Sequence, residues 1–493
     1  MKTRCTKLSK MSLLLILFIL LACSCSDETT PQTDGDIDNE SAENEQDSDQ
    51  ITDGDSELEA EPVTPTSFKI GYGEIDITPF EDFDRVLVGS YGIPGLERAM
   101  KGVHDPLWAQ AALIVNNAGE SMLLITVDLC GYMFEFDQAG PGIRELRENI
   151  VNVLKDKVEL KPENIVLTSS HNHTSTDLFG SAQDVNTTIP RDLLEWHVEK
   201  ITKAAVDAAE NIQDATLLFA ETELPGYAGR DQEPLNSGNY CSEVVDDSVI
   251  VMQAKDANGD VIVTIANYTK HPTQIDWTIL EASADFIYGY REHLSKQIGG
   301  KAMYIQGFEA AVHDGPRIEE LEGEPQSYEK AYNMGVVLAE AVFASFENLE
   351  EADEFEIQHK EEIVKITSHG FFWDMENYMG VHMRTFEPGE GNNFILKYVP
   401  VSWHKLGPAQ FVAWPGEPSP EYSLKLKARM SSKYNFMVGL ANDQISYIVD
   451  PQSVEDDPTG KLLVNEVAFG PGLGAGETLM ESMERMEFLT PVE

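Results

Sequence analysis

From Ser67 to the C-terminus, short apolar runs with a period of two alternate with longer runs of helical period, and this alternation restricts the fold to the α/β classes. FKIGYGEIDIT reads as a strand, and AQAALIVNNAGESMLLITVDL as two strands joined by an Asn-Ala-Gly turn. PGIRELRENIVNVLKDKV is an amphipathic helix, NIVLTSS a short buried strand, and PRDLLEWHVEKITKAAVDAAENI a long helix opened by Pro190. SVIVMQAKDANGDVIVTIANY repeats the hairpin theme through Asn258-Gly259. Further on, the pattern predicts a helix over 286–297, the strand AMYIQG, a helix over 328–346, strands near 354–366 and 409–414, and a last helix after Gly476. No repeat and no linker interrupts residues 67–493, so one large mixed-sheet domain is expected there.

The first 66 residues do not belong to that pattern. Lys2, Arg4, Lys7 and Lys10 precede the run MSLLLILFILLA, too short for a mature membrane span but suited to the apolar region of a secretory signal. Leu20-Leu21-Ala22-Cys23 resembles a bacterial lipobox, which implies cleavage after residue 22, lipidation of Cys23 and an N-terminal membrane anchor. Ser24 after the cysteine favours the outer membrane by the same resemblance. Residues 26–66 carry fifteen carboxylates and no Lys or Arg, too polar to bury a core, so 23–66 is expected to be a disordered acidic tether. The Asp34-Gly35-Asp36 and Asp53-Gly54-Asp55 fragments do not complete a calcium loop.

The chain has 35 Lys plus Arg against 85 Asp plus Glu, a formal charge of −50, which excludes nucleic-acid binding through a basic patch. Five cysteines include no Cys-x-x-Cys pair, so a thiolate zinc site is not expected. An exported chain permits a Cys130–Cys241 disulfide, although spacing alone does not show that they meet.

Polar side chains at the ends of apolar strands are the candidates for chemistry, because the strand fixes their direction while the next loop opens outward. In NIVLTSSHNHTSTD, His171 and His173 follow a buried strand, and alternate residues of an extended segment can face one metal or one substrate. Structural histidines in a polar loop are the competing reading. Ser175 and Thr176 stand where a metallo-β-lactamase-like motif needs Asp and His, and no His-Glu-x-x-His occurs. Other strand ends bear His271 in IANYTKHPTQ, Glu417 in FVAWPGEPSP and Tyr447 in GLANDQISYIVDP. Taken singly, each has an ordinary role as a turn hydrogen-bonder, a helix-start carboxylate and a packing aromatic.

The order and contexts of these segments resemble the neutral ceramidase family, over roughly residues 68–490. GYGEIDITP, HDPLWAQAALIV, LLITVDL, IVLTSSHNHTS, NYTKHPT, SADFIYGY, WPGE and GLANDQISYIVDP carry the resemblance, and their shared order is more specific than any one of them. It implies the fold of that family's catalytic domain, and one Zn²⁺ per chain held by His171, His271, Glu417 and Tyr447. It implies that His173 assists the attacking water or the oxyanion, that Arg230 faces the substrate, and that Asp285 orients a ligand. Asp128 and His104 lie near matched motifs, with structural support as the expected role. The implied reaction is hydrolysis of an amide by metal-activated water, on a small-molecule or lipid substrate outside the cytoplasm.

The departures bear on substrate. Where the family has a Ser in a Gly-Asp-Val-Ser-Pro-like segment, this chain has QGFEAAVHDGPR, with Asp314 or Gly315 near that position and His313 before them. No Tyr follows Tyr447, and the sequence stops after GAGETLMESMERM, where larger members carry a separate β-sandwich. These differences suggest a retained metal site with altered specificity, in which His313 and Asp314 supply replacement acid-base chemistry. Two rivals remain open at the sequence level: a non-catalytic ligand-binding lipoprotein on the same fold, and a two-metal phosphoesterase. Oligomeric state is not legible.

Overall fold

The period-two runs build two mixed sheets in a computed structural model that describes residues 64–89, 98–136, 140–180, 189–230, 244–369, 384–390, 393–456, 460 and 466–491. The proposed signal, Cys23 and nearly all of the tether lie outside the described residues, as does Cys241 and with it the disulfide expectation. The larger sheet contains β1 (Phe68–Asp76), β2 (Trp108–Asn116), β3 (Ser121–Val127), β4 (Ile165–Ser169), β5 (Gln213–Glu223), β6 (Ser248–Lys255), β7 (Val261–Tyr268) and β8 (Lys301–Gln306). Their spatial order is β8-β7-β6-β5-β1-β2-β3-β4, with Glu350–Glu351 beside β5. The second sheet runs β9 (Ile357–Thr367), β10 (Phe394–Leu406), β11 (Ala409–Ala413), β12 (Tyr434–Val438), with Phe386–Pro388 beside β10.

Strand alternation sorts the core into layers. On β2, Ala109, Ala111 and Leu113 face one way, while Ala112 and Ile114 face the other. The first set packs under α1 (Ile143–Leu154) and α2 (Arg191–Glu210). The second set joins Phe411, Phe436 and Val438 of the second sheet in a shared inner core. Beneath α2, a Cβ on Gly71 would lie 1.8 Å from the Ala208 carbonyl oxygen, so the helix can rest on β1 only where that side chain is missing. Helices α3 (Phe286–Ile298) and α4 (Tyr328–Ser345) cover the other half of the large sheet. Helices α5 (Pro420–Lys427) and α6 (Ala475–Arg485) cover the outside of the second sheet. The architecture is therefore helix, sheet, sheet, helix.

The expected strands and helices recur within a few residues, with two long strands added. β5 and β10 escaped the sequence reading because QDATLLFAETE and FILKYVPVSWHKL mix polar and apolar residues without a clean period. Three pairs run parallel: β3 with β4, β7 with β8, and β11 with β12. The chain just past these six strands supplies the polar cluster described below.

A second polar cluster sits at the N-terminal end of β3. Across β9 and β10 the register partners His359 and His404 meet Nδ1 to Nδ1 at 2.7 Å. His359 Nε2 lies 2.8 Å from the Ser121 carbonyl, and His404 Nε2 lies 2.9 Å from Ser402 Oγ. Every one of these bonds is made when both rings are neutral: Ser402 donates to His404, His404 Nδ1–H donates to His359, and His359 Nε2–H donates to Ser121. Burial lowers the pKa of both, that of His404 to well below the ordinary value, with Arg147 acting in the same direction on His404. Lys161 lowers and Glu163 and Glu120 raise that of His359. The unfolded imidazoles take up protons below about pH 6.5 while the folded ones do not, so stability falls as pH drops through that value. Replacing both histidines by Gln should shrink the loss of unfolding free energy between pH 7.5 and 5.5 by about 1–2 kcal/mol, read by urea denaturation.

Candidate metal centre

The centre is assembled from residues two to nine positions past strand ends. His171 follows β4 with φ of 66°, a left-handed conformation that turns its ring out of line with the strand. Its Nδ1 lies 2.5 Å from the Cys130 carbonyl just beyond β3, which fixes a proton on Nδ1 and turns Nε2 towards Glu417. His271 follows β7, and its backbone N–H donates to the Val312 carbonyl at 2.9 Å. Glu417 follows β11, and Glu417 and Tyr447 are register partners in a short parallel bridge. Gly416 precedes it with φ of 63°, and a Cβ there would stand 2.4 Å from the Ser446 carbonyl oxygen, so only glycine lets the WPGE turn close on that bridge.

These elements converge on one carboxylate oxygen. Glu417 Oε2 lies 3.3 Å from His171 Nε2 and 3.2 Å from His271 Nε2. Its other oxygen accepts from Gln444 Nε2 at 3.0 Å, which fixes the carboxylate plane. His173 Nε2 is 3.1 Å from His171 Nε2. Ring centroids of His271 lie 4.6 Å from His313 and 6.4 Å from Tyr447. Thus His171, His173, His271, His313, Glu417 and Tyr447, taken from distant parts of the sequence, share one cluster, with His313 and Tyr447 half-buried and the others buried.

The electrostatics favour neutral, lone-pair-bearing rings at His173, His271 and His313, while His171 is paired with the Glu417 carboxylate. Burial holds His271 below its ordinary pKa, and burial with the neighbouring His171 holds His173 well below. Burial and the adjacent His271 do the same to His313. Burial opposes charge on Glu417, yet His171 beside it keeps that carboxyl well below the usual carboxylate range. Burial also opposes charge on His171, but Glu417 and then Cys130 lift its pKa well above the ordinary value. Burial, then Glu417, pushes the Tyr447 phenol well up, so ionising it requires a cation nearby.

A divalent cation fits this donor set. His271 Nε2 and Glu417 Oε2 are buried and make no hydrogen bond among the described residues. The 3.2 and 3.3 Å separations equal the edge of a ligand tetrahedron with bonds of about 2.0 Å, an edge of roughly 3.3 Å. Two imidazoles, a carboxylate and a phenol oxygen suit zinc.

The other candidate residues are bonded to groups outside the donor set. Arg230 sits on a short strand paired with Val312–Asp314, and its Nη1 donates to both oxygens of Glu421 at 2.7 Å. Its Nε and Nη2 are buried with no hydrogen bond among the described residues. Asp285 is the N-cap of α3; its carboxylate accepts from Phe286 N at 2.6 Å and Ile275 N at 3.1 Å, so it holds the loop after His271. Burial pushes its pKa up to about 7. Asp314 accepts from Lys270 Nζ at 2.6 Å and from Gln274. Asp128 accepts from Arg291 Nη2 at 2.5 Å and from the Trp108 N–H, a structural tie. His104 bonds Asp105 at 2.8 Å and stacks on Tyr328.

Sequence reading missed Glu309, Gln444 and the Arg384–Asp443 pair. Glu309 lies fully buried with an oxygen 3.8 Å from His271 Nδ1. Its signal was a lone carboxylate in the apolar string GFEAAV directly after β8. Arg384 grips both Asp443 oxygens at 2.6 and 2.7 Å with neither side chain exposed, and Asp443 also accepts from Phe134 N at 2.8 Å. That pair anchors the loop carrying Gln444. Asp443→Ala leaves the Arg384 charge buried without its partner and should cost about 3–5 kcal/mol in urea unfolding, with a matching loss of bound metal.

No protein-family model and no curated protein matches the sequence. Solved structures do. A neutral ceramidase from Pseudomonas aeruginosa superposes with a TM-score of 0.64 at 16% identity, covering 87% of this chain and 75% of that one. A ceramidase complexed with C2 superposes with a TM-score of 0.62 at 16% identity, covering 87% and 76%. The chain therefore has the mixed α/β fold of the neutral ceramidases.

Proposed function

We propose that this chain is a zinc-dependent hydrolase of N-acyl amide bonds, ceramide-like lipids being the substrate class nearest to its structural neighbours. The observation that carries the reading is the approach of His171 Nε2 and His271 Nε2 to one oxygen of Glu417, with Tyr447 in register beside it. His171, His271, Glu417 and Tyr447 would hold one Zn²⁺, which when bound supplies Lewis-acid polarisation of a carbonyl and acidification of water.

The remaining steps belong to the protein. The Cys130 carbonyl and Gln444 keep His171 and Glu417 in their donor orientations. His173, beside His171, would hydrogen-bond the attacking water or the oxyanion. Arg230 has Nε and Nη2 uncommitted and can balance negative charge on the acyl oxygen. His313, packed on His271 and held neutral, is the group assigned to take a proton from the attacking water and pass it to the departing amine. Attack of water on the carbonyl carbon and loss of the amine yield a carboxylic acid and a free amine.

Purified protein should contain one zinc per chain by elemental analysis and release amine from an N-acyl sphingoid or shorter N-acyl substrate. His171→Ala or Glu417→Gln should remove the metal and lower kcat/KM by at least about a thousandfold. His313→Ala should cut kcat severely with zinc retained. A folded protein that takes up no zinc would overturn the proposal and favour a ligand-binding role.

The export reading is part of the same proposal: cleavage after Ala22, lipidation of Cys23, and an acidic tether holding the catalytic domain, residues 67–493, outside the cytoplasm at the outer membrane. Such an anchor would keep the domain beside membrane substrates. Cys23→Ser should move the protein from the membrane fraction to the soluble fraction, read by fractionation and immunoblot.

A further inference from the structure

Glu309 stands among the donor atoms of the cluster and has no role assigned so far. It is fully buried, and neither carboxylate oxygen makes a hydrogen bond among the described residues. A buried carboxylate without a partner is costly, so a native fold retains one where another state of the site uses it. Its Oε2 lies 3.8 Å from Nδ1 of His271, across the ring from the Nε2 that faces Glu417, and that Nδ1 is buried with no hydrogen bond to a side chain among the described residues.

The two sides of the ring are linked by its tautomer. A neutral imidazole carries one proton, so a ring that offers its Nε2 lone pair to a cation must carry the proton on Nδ1. His171 has its Nδ1 acceptor built in, the Cys130 carbonyl at 2.5 Å. For His271 the groups on that side belong to Glu309. Its main-chain carbonyl accepts from Val312 N at 2.8 Å and also stands within reach of the ring, where, against the larger lowering by burial, it raises the ring's pKa as an acceptor does, whereas its carboxylate is uncommitted among the described residues. A shift of less than about 1 Å would bring the carboxylate within hydrogen-bond range.

We propose that Glu309 is the positioning residue for His271, its carboxylate accepting the Nδ1–H that must exist when His271 ligates through Nε2. The assignment rests on the zinc reading above and adds to it a residue specific to the GFEAAV segment. Glu309 acts by fixing the ring and making it a stronger donor.

The test compares Glu309→Gln, Glu309→Ala and His271→Ala with the wild type, using Zn²⁺ alone and a competing chelator, with apoprotein stability from thermal melts. Glu309→Ala should weaken zinc binding about 10–100-fold, and Glu309→Gln, which keeps an acceptor oxygen, should weaken it less. His271→Ala should abolish tight binding. The metal-free Glu309 variants should melt at or above the wild-type temperature, because an unpartnered buried acid has been removed; a purely structural role would lower it. Co²⁺-loaded Glu309→Ala should also show a shifted visible absorption band. Unchanged zinc affinity in Glu309→Ala, with His271→Ala still defective, overturns this assignment alone and leaves the main-chain carbonyl as the acceptor. Zinc affinity unaffected by His271→Ala overturns both the assignment and the metal reading.

Discussion

A seam of buried hydrogen bonds between the two sheets is the constraint on which the site depends. The chain leaving β12 is bonded to strand ends of the large sheet: Thr168 Oγ1 donates to the Gly439 carbonyl at 2.7 Å, and Gly439 N donates to the Gln306 carbonyl at 3.0 Å. Asn442 bonds Leu167 from both sides, accepting through Oδ1 at 2.9 Å and donating through its own N–H at 2.7 Å. Asn267 plays the same part for Met437, accepting at 3.0 Å and donating at 2.9 Å. These asparagines complete backbone pairing where no strand could run. The result brings the ends of β4, β7, β8 and β12 to one place. Without it His171 and His271, from one sheet, would not meet Glu417 and Tyr447 from the other.

Maintaining that junction costs backbone strain. His171, Asp285, Ala311, Leu440, Asn442 and Ser446 all have positive φ without being glycine. Leucine and alanine there are uncommon, and the left-handed region costs each about 1 kcal/mol or more. All six lie at or beside the segments that deliver donor atoms. The apolar core offsets this cost: three layers of packed side chains hold the sheets and helices whose ends are bent into place.

Donors are also supported at their rear atoms. The Cys130 carbonyl stands behind His171, Gln444 beside Glu417, and the buried Arg384–Asp443 pair behind the Gln444 loop. Around Arg230 the arrangement is different. Its charge is shared with Glu421, and two of its buried nitrogens have no hydrogen bond among the described residues. The donor atoms are thus braced from behind, whereas Arg230 is not.

Much of this was legible in the chain itself. Period-two runs marked β1, β2, β3 and β7, because one face of each strand packs on helices and the other on the second sheet. Strand-end position marked His171, His271, Glu417 and Tyr447 as candidates, and the resemblance to the neutral ceramidases is what joined them into one set. β5 and β10 were not legible, because an exposed face or an interior Lys and Pro breaks the alternation. Tertiary structure alone decided that Glu309 faces His271, that Gln444 holds Glu417, and that Arg230 is bound to Glu421. Those relations join residues tens to hundreds of positions apart through loops with unusual dihedral angles, and no local period or propensity encodes them. Sequence determined which side chains stand at strand ends, since that is set by local pattern; the fold decided which of those ends meet, since that is set by how two sheets are joined.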